Sequence, residues 1–230
     1  MIGAKKVLAV VPARGGSKGL PGKNILPVQG RPLLAWTADA ALATRALDRI
    51  VVSSDSDAIL AAARACGVEA LRRPAELATD TATTLDVVLH ALDACRGHDV
   101  VVVLQPTSPL RTAADIDGAL AHFAASAAPS CVSVCEAEQS PYWMYRLGDG
   151  QALLPIVAGA TQATRRQDLP AVYVLNGAVY VADAGWLRTT RAFVGDGTVA
   201  HVMPRERSLD IDTADDFERF QKTITETAHA

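Results

Sequence analysis

No stretch of the 230-residue chain approaches the roughly 18 consecutive apolar residues of a membrane span, although half of its residues are hydrophobic. No membrane partner is therefore expected. The opening residues Met1–Lys6 run straight into an apolar segment without a secretory h-region, so a cytoplasmic setting is expected. A basic excess is also missing. Lys and Arg number 22 against 25 Asp and Glu, a net charge of −3, which argues against general nucleic-acid binding through a basic stripe. Local cations can still build a phosphate site. The four cysteines (Cys66, Cys95, Cys131, Cys135) show no Cys-x-x-Cys spacing and the five histidines are scattered. That pattern speaks for buried, reduced thiols rather than zinc ligands.

Two nucleotide motifs are absent from the place where one is most expected. Val7–Val11 is an apolar run of strand length, and it leads into Pro12-Ala13-Arg14-Gly15-Gly16-Ser17-Lys18-Gly19-Leu20-Pro21-Gly22-Lys23-Asn24. A Walker A loop needs Gly where Ser17 stands and Ser or Thr where Asn24 stands. A dinucleotide fingerprint needs Gly-x-Gly-x-x-Gly, which residues 15–19 do not supply. What is present is a glycine-rich backbone that can approach a ligand closely, interleaved with Arg14, Lys18 and Lys23. A polyphosphate is the simplest ligand for that combination.

The length suits one α/β domain with a small appendage. A helix opens near Pro32, and Arg49–Ser54 reads as a second strand. Ser54-Asp55 is expected to cap the next helix, which stops at Gly67. Val68–Leu71 is a short strand, a hydroxyl-rich loop covers 72–84, and a helix carries Leu85, Val88, Leu89 and Leu92. Asp99–Leu104 is apolar almost throughout and reads as central. It ends in Gln105-Pro106-Thr107-Ser108-Pro109-Leu110-Arg111, beside the opening loop if both lie at the carboxyl ends of parallel strands.

After a helix over Ile116–Phe123 and a strand at 130–134, the strand–helix rhythm breaks at about 138–169. This segment has a crowd of aromatics (Tyr142, Trp143, Tyr145) and a hairpin signal at Gly148-Asp149-Gly150. Such an excursion suggests a subunit interface. Ala171–Val181 resumes strand, with Asn176-Gly177 marking a bulge or a close ligand approach. Val199–Met203 is a late strand candidate. Thr213 and Asp216 resemble a capping box before an amphipathic last helix carrying Phe217, Phe220 and Ile224. Asp210 and Asp212, two apart in an extended strand, point the same way at roughly 6.6 Å between Cα atoms. Two such carboxylates can bracket a hard cation such as Mg²⁺; the alternative, helix capping by Asp212 or Thr213, accounts for one carboxylate and leaves Asp210 without a reason.

Five segments resemble, in order, those of the acylneuraminate cytidylyltransferases: 12–24, Arg73–Ala82, Gln105–Arg111, Asn176–Tyr180 and Asp210–Thr213. The resemblance implies a Rossmann-like mixed, mostly parallel sheet flanked by helices, of the nucleotide-diphospho-sugar transferase type. The α/β domain would span 1–137 and 170–230, and 138–169 would be an inserted dimerisation segment. It implies transfer of CMP from CTP to the anomeric 2-hydroxyl of a nonulosonic acid, with release of pyrophosphate, in a homodimer that uses Mg²⁺ or Mn²⁺. Ala13, Arg14, Gly15, Ser17, Lys18, Lys23 and Asn24 would hold the triphosphate, and Arg73, Ala82 and Thr84 the cytosine.

Gln105, Asn176, Tyr180 and Phe193 would contact the sugar, and Arg166 would reach it from the partner subunit. Asp210 and Asp212 would bind the metal. Arg14, Lys18, Lys23, Asp210 and Asp212 would carry catalysis; Asp210 and a hydroxide at the metal are both candidate bases. In some members of the family a lysine reaches across the dimer where this chain has Pro141-Tyr142-Trp143-Met144. The sugar is accordingly open among sialic, legionaminic, pseudaminic and deaminated acids, with a phosphonate or a non-catalytic nucleotide-binding role as alternatives.

Overall fold

The structure is a computed structural model that describes residues 2–17, 19–157 and 165–227. Its axis is β1 (Val7–Pro12), whose first five residues are buried because strands flank it on both edges and helices cover both faces. A short ribbon, β2 (Pro27–Val28) with β3 (Arg31–Pro32), leads into α1 (Leu33–Leu42). Then come β4 (Arg49–Ser54), α2 (Asp57–Ala65), β5 (Glu69–Arg72), α3 (Thr84–Ala94), β6 (Val100–Val103), α4 (Ala113–Ser126) and β7 (Ser130–Glu136). β8 (Tyr145–Leu147) and β9 (Leu153–Pro155) form a separate hairpin. The chain closes with β10 (Tyr173–Asp183), α5 (Ala184–Thr190), β11 (Val199–Val202) and α6 (Ala214–Thr227).

The main sheet has seven strands in the order β11-β7-β10-β6-β1-β4-β5. β1 pairs in parallel with β4 and β6, β4 with β5, and β7 with β11. β10 is antiparallel to both of its neighbours. The expected mixed, mostly parallel sheet is what forms. The chain winds from β1 outward through β4 to β5, then returns to place β6 on the other side of β1. That reversal opens a crevice at the carboxyl ends of β1 and β6, the usual ligand position in such sheets.

Apolar side chains of α1, α2 and α4 cover one face of the sheet and those of α3 and α5 the other. All four cysteines are free thiols; burial pushes Cys131 on β7 up to about 11, so it stays protonated at neutral pH. A third cluster joins Val28, Leu33, Ile211 and Phe220. Trp36 of α1 meets Phe220 of α6 edge-on at 5.5 Å, which docks the last helix. Ile211 is fully buried in that cluster, and its amide donates to the Thr107 carbonyl at 2.8 Å. This single apolar anchor fixes the position of the two aspartates that flank it.

Three local readings change. The segment carrying Asp210 and Asp212 belongs to no strand. The helix α5 was not anticipated; it is only seven residues long and rests on Asp183, which accepts from the Gly185 and Trp186 amides. The N-cap of α2 is Ser56, without a side-chain capping bond, and the Asp55 carboxylate is turned to another use. The bulge at Asn176-Gly177 is present as a register shift between Leu175 and Tyr180, with Gly177 at φ +73°.

Candidate active site

A cavity of about 320 Å³ lies at the carboxyl ends of β1, β5 and β6. It brings together Arg14, Ser17, Lys23 and Asn24 from the glycine loop, Arg73 after β5, Ala82 and Thr84 at the start of α3, and Gln105 after β6. Eight residues singled out from the sequence thus meet in one space. Lys18 lies outside the described residues.

The loop is pinned from below. The Ala13 amide donates to the Ser53 carbonyl at 3.0 Å, and the Asn24 Nδ2 donates to the Arg14 carbonyl at 3.0 Å. Asn24 is buried and its Oδ1 has no partner among the described residues, which leave part of this side chain's hydrogen-bonding capacity unused. Arg14 Nη1 donates to Asp80 Oδ1 at 3.0 Å, linking the loop to the 72–84 segment. On the other side, the Gly15 amide donates to Asp55 Oδ1 at 3.0 Å. The same oxygen accepts from Arg73 Nη2 at 3.3 Å. Burial would raise the Asp55 carboxyl, but these donors and its own amide outweigh it and hold the group below the usual carboxylate range. Burial lowers Arg73, against the pull of Asp55.

Asp210 and Asp212 do not themselves line this cavity; Asp210 lines a neighbouring groove with Glu136, Arg205 and Ser208. Lys23 Nζ donates to the Ile211 carbonyl at 2.7 Å and to Asp212 Oδ1 at 3.1 Å. Surrounding protein raises the Asp210 carboxyl above its ordinary value, Thr107 draws it down through a hydrogen bond, and Asp212 pushes it up again. Thr107 and Lys23 also line the cavity, so each aspartate is tethered to a cavity residue. The capping alternative for Asp212 does not hold. Thr213 and Asp216 form the reciprocal cap of α6, with Thr213 N donating to Asp216 Oδ2 at 2.9 Å and Asp216 N to Thr213 Oγ1 at 3.2 Å. The Asp212 carboxylate is left 73% exposed.

The residues assigned to the sugar are less uniform. Gln105 lies in the cavity and faces Gly177, where an added Cβ would come within 3.4 Å of Gln105 Oε1. Tyr180 is half-buried, its ring 5.5 Å from that of Phe193; burial and then Asp210 raise its hydroxyl. Asn176 is buried and its amide is engaged by the protein. Its Oδ1 accepts from Ser133 Oγ at 2.6 Å and from the Ala178 amide at 3.2 Å, and its Nδ2 donates to Ser208 Oγ at 2.9 Å. In this arrangement Asn176 shapes the bulge. Arg166 is outside the cavity; its Nη2 donates to the Ala137 carbonyl at 3.1 Å, in a neighbouring groove.

Beneath all of these sits Arg111. It is 2% exposed and donates to the Gln105 and Ala178 carbonyls at 3.2 and 2.8 Å and to Thr37 Oγ1 at 2.7 Å. Burial pushes it down to about 9, with Asp115 opposing, so it is charged at neutral pH. Sequence reasoning noted the segment ending in Arg111 but gave this residue no role. Asp55 was also missed, since a carboxylate before a helix reads first as a cap.

The fold is the one shared by solved cytidylyltransferase structures. A solved structure of a CMP:2-keto-3-deoxy-manno-octonic acid synthetase complexed with CTP superposes with a TM-score of 0.76 at 17% identity, over 96% of this chain and 99% of that one, a likeness of fold. A family model described as cytidylyltransferase matches residues 8–146. The chain is 36% identical over 214 residues to an N-acylneuraminate cytidylyltransferase of Streptococcus agalactiae serotype V (strain ATCC BAA-611 / 2603 V/R), covering 92% of this chain and 52% of that protein. It is 34% identical over 226 residues to a CMP-N,N'-diacetyllegionaminic acid synthase of Legionella pneumophila subsp. pneumophila (strain Philadelphia 1 / ATCC 33152 / DSM 7513), covering 95% of this chain and 96% of that one. The chain belongs to the cytidylyltransferase family. It spans about half the length of the N-acylneuraminate relative and nearly all of the legionaminic one.

Proposed function

We propose that the chain transfers CMP from CTP to the anomeric 2-hydroxyl of a nonulosonic acid, releasing pyrophosphate. The observation that carries this reading is the single cavity that joins the glycine loop to Arg73, Ala82, Thr84 and Gln105, in a chain related to enzymes named for such transfers. In-line displacement at phosphorus needs positioning and charge neutralisation more than a covalent catalyst. Arg14, Ser17, Lys23 and the loop amides would hold the triphosphate, with Lys18 completing the set of cations. Lys23, whose side chain is 12% exposed and lines the cavity, would meet the charge that builds on the departing pyrophosphate. Gln105, Tyr180 and Phe193 would place the acid on the opposite side.

Mg²⁺ or Mn²⁺ fits the donor set. Burial first, and then the like charge of Asp212, raise the Asp210 carboxyl, and a hard cation beside the two carboxylates would relieve that charge. Among the described residues no third His, Cys, Asp or Glu joins them, so the other coordination positions would fall to water and substrate phosphate. When bound, the ion supplies charge neutralisation at the phosphates.

The partner is proposed to be a second copy of the chain. The β8–β9 hairpin exposes Leu147, Leu153 and Leu154, and the start of β10 exposes Tyr173, Val174 and Leu175; apolar surface of this extent is characteristic of an interface. Arg166 lies at the base of the same excursion and would contribute across it. A cytoplasmic setting suits the free thiols and a CTP substrate. Among the described residues no helix is long and apolar enough to cross a membrane.

The similar identities to the two relatives leave the acid to experiment. The protein is incubated with CTP, Mg²⁺ and a panel of N-acetylneuraminic, N,N'-diacetyllegionaminic, pseudaminic and deaminated acids, and pyrophosphate and CMP-sugar are measured. Release with at least one acid is expected. Absence of release across the panel, with CTP still bound, turns the reading toward a non-catalytic nucleotide-binding protein.

A further inference from the structure

Asp55 follows the last residue of β4, and β4 lies between β1 and β5 in the sheet. Its neighbours across the strand ends are therefore the glycine loop after β1 and Arg73 after β5. One carboxylate oxygen serves both, accepting from the Gly15 amide at 3.0 Å and from Arg73 Nη2 at 3.3 Å. We propose that Asp55 is a positioning residue that couples the glycine loop to Arg73, so that the two ends of a bound nucleotide are organised by one shared acceptor. The inference rests on the reading that a nucleoside triphosphate occupies the 320 Å³ cavity.

Four further observations support it. Asp55 does not cap α2, whose N-cap Ser56 makes no side-chain capping bond, so the helix does not account for the carboxylate. Its own position is fixed, because Arg72 Nη1 donates to the Asp55 carbonyl at 2.8 Å. The loop can reach it only through glycine: a Cβ at position 15 would stand 3.0 Å from Ser56 Cβ and 3.3 Å from Asp55 Oδ2. Finally, Arg73 is 4% exposed and its Nε has no partner among the described residues. A cation so buried depends on its counter-ion, and removing the carboxylate leaves an uncompensated charge free to reorient. The same loss releases the Gly15 amide that sets the loop's approach to the phosphates.

Asp55→Asn keeps an oxygen acceptor of the same shape and removes the charge. CTP and inorganic triphosphate binding are measured by calorimetry on the full chain for wild type, Asp55→Asn, Arg73→Gln and the double variant. Asp55→Asn is expected to weaken CTP about tenfold, the scale of one charge-assisted hydrogen bond, and to weaken inorganic triphosphate as well. Coupling predicts that the double variant binds CTP within about twofold of the weaker single variant, a non-additivity that residues acting independently do not show. Unchanged CTP binding by folded Asp55→Asn, or losses that multiply in the double variant, overturns the proposal.

If Asp55→Asn fails to fold, the Gly15 amide resonance in Arg73→Gln decides. It shifts if the two groups share an acceptor, and an unmoved resonance overturns the coupling. Wild-type protein that binds no CTP rejects the nucleotide reading instead, and the Gly15 resonance then tests the coupling by itself.

Discussion

Lys23 and Asp212 face each other at 3.1 Å, with Lys23 almost enclosed and Asp212 largely open to solvent. The pair joins the glycine loop to the segment before α6. Because Thr213 and Asp216 cap that helix without the Asp212 carboxylate, function and stability separate at this position. Asp212→Ala is expected to reduce Mg²⁺-dependent turnover by about a hundredfold or more, the scale seen when a group aimed at developing charge is lost. Its melting temperature should stay within about 2 °C of wild type, as for an exposed substitution. Unfolding of the variant would instead make Asp212 a structural residue.

The same junction constrains Gly19. A Cβ there would lie 2.4 Å from the Asp212 carbonyl oxygen, and a backbone atom cannot swing aside as a side chain can. Gly19→Ala is therefore expected to force the loop and the 210–212 segment apart. kcat should fall by about tenfold or more, because displacements of about 1 Å at a phosphoryl-transfer site are costly, while the melting temperature changes little. Comparable turnover in Gly19→Ala and wild type would show that this junction yields freely.

Much of this arrangement was legible in the sequence, and the limits have physical reasons. Val7–Val11 and Val100–Val103 announce themselves because strands buried on both faces are apolar without alternation. The Asn176-Gly177 bulge follows from a glycine inside a strand. Asp55 was not legible, because a carboxylate ahead of a helix has an adequate local explanation, and its partners at positions 15 and 73 come from other strands. Arg111 was hidden for the opposite reason: nothing local distinguishes a surface arginine from one whose carbonyl acceptors lie at residues 105 and 178. The role of Asn176 was blurred by its neighbours Ser133 and Ser208, which sequence order does not bring near it.

Arg111 should accordingly be sensitive to changes that keep size and lose donors. Arg111→Met leaves the Gln105 and Ala178 carbonyls and Thr37 Oγ1 without this donor. It is expected to lower stability by about 2 kcal/mol or more, since an unsatisfied buried acceptor costs about 1–3 kcal/mol. The test is urea denaturation, with KM for the acid followed in parallel. KM should rise because both the Gln105 strand end and the bulge facing it lose their tether. An unaltered denaturation midpoint would mean that the buried guanidinium contributes no net stability.

Part of the acid sensitivity should come from Asp115. Burial alone would raise its carboxyl, but Arg207 donates to it twice, at 2.8 and 3.0 Å, and Thr112 donates through its amide and hydroxyl. The net effect is a value held below the ordinary one. The folded state therefore binds this proton less readily than the unfolded chain. The stability it contributes is present above the unfolded value, about 3.9, and is lost as pH falls through the lowered folded value. Asp115→Asn should be less stable than wild type at pH 7, and the difference should shrink as the pH is lowered through that window. A gap that holds constant between pH 7 and pH 3 would remove Asp115 from the acid response.

The last prediction concerns the covering of the excursion. Leu147 is 71% exposed and Leu153 64%, and these two residues pair across the β8–β9 hairpin. A two-stranded hairpin has little stability by itself, and here the described residues of the same chain cover its apolar side chains only in part. A second copy of the chain placed against it would bury them and bring Arg166 toward the neighbouring site. Leu147→Glu/Leu153→Glu should convert a dimer into a monomer in light scattering at micromolar concentration, because two buried, unpaired carboxylates would oppose association. CTP binding should survive in the monomer, since the cavity that would hold it is built from one chain, while turnover with the acid should fall. A variant that stays dimeric, or a wild-type protein already monomeric, would rule out this face as the interface.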